Sequence, residues 1–115
     1  MANDRTVLSP GKSPSDWSVV AQFDEKQRLV VNEGNLDDDF YIIVTAGEIS
    51  ALKRVLDRTC KPRAKSGDLR SDVLQMLAQL YGGRTSAFSD IKSFFNENGI
   101  DFQTSHWIGS HIDDD

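Results

Sequence analysis

The apolar residues of this chain change their spacing at Thr45, from every second position to every third or fourth, so a sheet is laid down first and helices follow. Before that point Trp17, Val19, Ala21 and Phe23 are separated by the polar Ser18 and Gln22, the period of a half-buried strand. Asp24-Glu25-Lys26-Gln27 supplies a polar turn, and the β-branched run Leu29-Val30-Val31 returns as an antiparallel partner. Residues 33–39 form a second turn, rich in Gly, Asn and Asp. Phe40-Tyr41-Ile42-Ile43-Val44 then reads as a strand near the middle of the sheet, with both faces at least partly covered.

From Thr45 the helical period takes over. Thr45 and Glu48 have the spacing of a capping box, and Ile49, Leu52, Val55 and Leu56 make one apolar stripe that ends before Pro62. Asp68 is placed to cap a second helix whose inward residues are Leu69, Val73, Met76, Leu77 and Leu80, stopped by Gly82-Gly83. Thr85 or Ser86 caps a third, with Ala87, Phe88, Ile91, Phe94 and Phe95 inward and Asn98-Gly99-Ile100 as its end. Alternation over Ile100-Asp101-Phe102-Gln103 predicts a last short strand.

The expected architecture is therefore α+β: one antiparallel sheet of three to four strands packed against about three helices, in the order βββαααβ. Residues 1–15, which hold Pro10, Gly11 and Pro14, read as a mobile N-terminal arm, 16–110 as a single domain, and 111–115 as an acidic tail. A chain of 115 residues with 38% hydrophobic content is large enough for one core. The longest apolar run is Phe40–Val44, far short of the roughly 18 residues a membrane span needs. The N-terminus lacks a basic and apolar leader, and a lone Cys60 excludes an internal disulfide, so a cytoplasmic location is expected.

A net charge of -5 argues against direct nucleic-acid binding, which uses a basic surface to displace counterions. The charge is also segregated. Asp24, Glu25, Glu33, Asp37, Asp38 and Asp39 crowd 23–39, whereas Lys53, Arg54, Arg58, Lys61, Arg63, Lys65 and Arg70 make 45–70 basic. That basic stretch lacks the interleaved aromatics that would stack bases, so it reads as a solvated helix face and loop.

No sequence-local chemistry stands out. His106 and His111 lack the spacing of a metal site, even with Cys60 or a terminal Asp as a third ligand. A Cys60–His106 nucleophile pair would have to be assembled by folding. There is no GxSxG elbow, P-loop or GxGxxG, and Asp37-Asp38-Asp39 lacks the glycine and glutamate of a calcium loop. No cofactor, metal or enzymatic activity is expected, and the function left is binding to a protein. The candidate surface comprises Glu33, Asp37, Asp38, Asp39 and Tyr41, whose carboxylates would speed encounter with a cation-rich partner, together with Trp107 as an apolar anchor.

The stretch Gly34-Asn35-Leu36-Asp37-Asp38-Asp39-Phe40-Tyr41-Ile42-Ile43-Val44, then Leu80-Tyr81-Gly82-Gly83, and then Phe94-Phe95-Asn96-Glu97-Asn98-Gly99-Ile100-Asp101-Phe102 running on to Ser105-His106-Trp107, resembles bacterial immunity proteins of polymorphic toxin and contact-dependent growth inhibition systems. The resemblance covers most of residues 30–107. It implies a stoichiometric inhibitor that docks on a cognate toxin domain with a basic surface, such as a nuclease, and blocks its active site or substrate surface. A regulatory or adaptor subunit shares this composition, and a small enzyme is the weakest alternative.

Overall fold

A computed structural model of the protein describes residues 5–11, 16–35, 38–59 and 68–108, with Trp107 and Ile108 described by backbone alone. Five antiparallel strands lie in the order β1 (Arg5–Ser9), β2 (Ser18–Phe23), β3 (Leu29–Gly34), β4 (Asp38–Val44) and β5 (Gln103–Ile108). Between β4 and β5 the chain makes helices α1 (Ile49–Thr59), α2 (Leu69–Tyr81) and α3 (Ala87–Glu97). The α+β class and the order of sheet and helices agree with the sequence reading, with one strand added at the front. Residues 5–9 do not belong to an arm: they pair with β2, and Leu8 is 1% exposed. Pro10 and Gly11 signal where that strand stops, and Leu8 docks it on the core. The tail at 111–115 lies outside the described residues.

The polar turn between β2 and β3 is held by Asp24. Its carboxylate accepts from the backbone N–H of Lys26 and Arg28, both at 2.9 Å, and from Arg28 Nε at 2.7 Å. Burial works against the charge, but these hydrogen bonds outweigh it and hold the carboxyl below its ordinary range. The turn thus closes without glycine, with Gln27 in the left-handed region at φ 65°.

All three helices cover one face of the sheet. Val19, Ala21, Phe23, Leu29, Val31, Ile42 and Val44 meet Leu52, Leu56, Val73, Met76, Leu77, Ile91 and Phe95 in one core cluster. Val7, Val20, Val30, Asn32, Tyr41 and Ile43 alternate onto the other face by register.

Several local expectations change. Thr45 makes no side-chain cap; a 3₁₀ turn over Ala46–Glu48 precedes α1, so the Glu48 carboxylate accepts instead from the Asp101 N–H at 3.2 Å. Asp68 does cap α2, accepting from Arg70 N–H at 3.2 Å. Leu69, at the margin of the sheet, is 38% exposed, and Leu74 at 2% takes an inward place. Ser86 stands at the start of α3, but its hydroxyl donates to the Asp90 carboxylate at 2.8 Å. Gly99 adopts φ 68°, and the Ile100 N–H donates to Phe95 O at 2.9 Å, closing α3 as expected. The final strand begins at Gln103, where the predicted one ended.

Candidate functional site: a groove at one end of the sheet

On the helix-covered face, cross-strand pairing lines up Val19, Glu33, Phe40 and His106 in one row. Val19 is buried, but the rest of this row is not sealed by the helices. Trp17, one residue before β2, leans over Phe40 with ring centroids 5.8 Å apart and remains 42% exposed. Its alternation with Val19 and Ala21 predicts a core position; lying outside the strand, it becomes a wall of a groove instead. Phe40 and His106 stack at 4.0 Å with planes 6° apart. Asp38 Oδ1 lies 3.3 Å from His106 Nε2, an ion pair when the imidazole is protonated.

Two open depressions meet at this row. One, of about 370 Å³, lies between Trp17, Glu33, Ser9, Gly11 and Thr85. The other, of about 380 Å³, lies between Phe40, His106, Thr104, Phe88 and Lys92. The opposite wall is therefore the first part of α3 and the turn before it. That turn is fixed to β1, because the Gly83 N–H, at φ 82°, donates to Leu8 O at 2.7 Å.

Glu33 is the unusual member. It is half-buried on the face that carries Leu29 and Val31, and burial alone pushes its carboxyl above the ordinary range. Among the described residues its carboxylate has no hydrogen bond or ion pair. A carboxylate at an inward position breaks the apolar alternation of β3, and that break is the one signal in the sequence that marks the groove.

The acidic residues singled out from sequence are divided by the pleat. Glu33 and Asp38 face the groove, whereas Asp39 and Tyr41 lie on the other side of the sheet. There Asp39 accepts from Asn32 Nδ2 at 3.2 Å and sits across Gly34, where a Cβ would collide with the carboxylate. Burial, and then the charge of Asp39, raise the Tyr41 phenol above its ordinary value. The Trp107 backbone pairs opposite Asp39, while Asp37, Cys60 and His111 lie outside the described residues. Among the described residues no three His, Cys, Asp or Glu side chains come together, and no helix is long and apolar enough to cross a membrane. The sequence does not mark Trp17, Phe40, Phe88 or Lys92 as site residues, and it offers His106 only as a metal ligand or a base.

Fold and groove together define an α+β domain with an aromatic and acidic cleft at one end of its sheet. Comparison of the chain with protein-family models, curated proteins and solved structures found no match.

Proposed function

We propose that the protein is a toxin-neutralising immunity protein, acting in the cytoplasm as a stoichiometric inhibitor and not as an enzyme. The observation that carries this reading is the groove itself. Trp17, Phe40 and His106 form a continuous aromatic surface in reach of solvent, and Glu33 and Asp38 add carboxylates beside it. Aromatic anchors in a desolvated pocket, with charges at hand, are the composition of an interface hot spot. The net charge of -5 favours a cationic partner and speeds its approach. A toxin domain that grips nucleic acid carries such a basic surface, and occupying it blocks substrate.

The reading requires a toxin gene directly upstream in the native locus, and co-expression with that toxin domain tests it. Growth is restored by the wild-type protein and lost again with the double variant Trp17→Ala, Phe40→Ala, provided that variant keeps its fold by circular dichroism. Full protection by that variant would remove the groove from the interface, and no protection by wild type would remove the reading.

A further inference from the structure

We propose that the depression between Trp17 and Glu33 is a receptor for a single arginine side chain of the partner protein. The inference deepens the docking reading above and rests on it.

Three features of the pocket select this ligand. The first is charge. Glu33 presents a carboxylate with no side-chain partner among the described residues, Asp16 lies on the same wall, and no lysine or arginine among the described residues lines the cavity. The neighbouring depression, by contrast, contains Lys92 and is not a cation site. The second is the exposed indole of Trp17, whose π face attracts a cation. A guanidinium, being planar and weakly hydrated, can stack on that ring while it pairs edge-on with a carboxylate; a compact ammonium cannot do both. The third is the hydroxyls of Ser9 and Thr85 on the pocket wall, which can accept from guanidinium N–H groups not used by Glu33. A partly buried carboxylate without a partner costs free energy in the unbound protein, and a bidentate cation removes that cost. Metal chelation is a poor fit, since no third ligand joins the two carboxylates among the described residues.

The test needs no toxin. N-acetyl-L-arginine methylamide is titrated into the ¹⁵N-labelled full chain, with the corresponding lysine and citrulline compounds as a smaller cation and a neutral isostere. Saturable amide shifts are expected at Trp17, Glu33 and Thr85, with a dissociation constant in the millimolar range. Binding should weaken about 10-fold in Glu33→Gln, by the loss of one charge-assisted pair. A loss of similar size is expected in Trp17→Ala, and none in Asp57→Asn on α1. The citrulline compound should not saturate, and the lysine compound should bind several-fold less tightly. Linear shifts, an unchanged constant in Glu33→Gln with its spectrum otherwise intact, or equal binding of all three compounds would overturn the assignment. A null result here with continued protection in the growth assay removes only the arginine pocket. Saturable binding without protection removes only the immunity reading.

Discussion

Replacing Leu8 by alanine tests whether the first strand is part of the folded core. Leu8 is 1% exposed, within the cluster that joins sheet to helices, and its carbonyl receives the Gly83 N–H at 2.7 Å. Truncating a fully buried leucine costs about 2.7 to 5 kcal/mol, from lost transfer energy plus the cavity left behind. An edge strand can relax more than a central one, so about 3 kcal/mol is expected. At ~2.1 cal/mol/K per residue, unfolding of the 115-residue chain has an entropy of ~0.24 kcal/mol/K, so Tm should fall by about 12 °C. In urea, with a slope of about 1.5 kcal/mol/M, the midpoint should fall by about 2 M. Val7→Ala is the internal control. Val7 is adjacent in sequence but 46% exposed on the other face, so its loss should cost under about 0.5 kcal/mol. If Leu8→Ala unfolds within about 0.5 kcal/mol of wild type, or the two variants behave alike, residues 5–9 are not docked as described.

Glu33→Gln should stabilise the protein at neutral pH. Burial raises the folded-state pKa above the ordinary 4.5, so native stability is lost as pH rises through that interval and stays lost above it. The gain should vanish at acid pH, and urea midpoints for both proteins between about pH 4 and about pH 8 check the sign. Gly99→Ala should destabilise by about 1 kcal/mol, because φ 68° disfavours a side chain even though nothing lies within 4 Å of the added Cβ; thermal melts measure it, and an unchanged Tm would count against the left-handed cap. Asp68→Ala should cost about 1 kcal/mol through the lost α2 cap, read by the same melts. Phe40→Ala should weaken toxin binding by about 2 kcal/mol or more, and Val7→Ala, exposed on the other face and lining neither depression, by far less. Calorimetry with the purified toxin domain distinguishes the two, and equal losses would place the interface elsewhere.

The elements whose signal is local were legible in the sequence. The stripe Ile49, Leu52, Val55 and Leu56 gives α1 whatever surrounds it, and Asn98-Gly99-Ile100 closes α3 because only a left-handed residue allows the Ile100 N–H to reach Phe95 O. What failed depended on neighbours distant in the chain. Thr45 and Glu48 had capping-box spacing, but Glu48 is drawn to the Asp101 N–H, 53 residues away. Val7-Leu8 looked too short to fold, and it is pairing with β2 and the bond from Gly83 that secure it.

The site was hidden for a related reason. Reading Asp37-Asp38-Asp39 as one patch treats charge density along the chain as charge density in space, and a strand does not allow that. Once Asp38 enters β4, successive side chains go to opposite faces, so Asp38 joins His106 while Asp39 joins Asn32. The acid that belongs with Asp38 is Glu33, brought there because Gly34 pairs with Asp39 and Glu33 with Phe40. Register therefore decides which carboxylates act together. Glu33 is also the only one of these acids on an inward position between core strands without a partner among the described residues. A polar side chain kept where the pattern calls for an apolar one is tolerated at a cost in stability, and such a cost is most readily explained by function. The predicted gain in Glu33→Gln stability and the predicted loss of arginine binding are two measures of that one compromise.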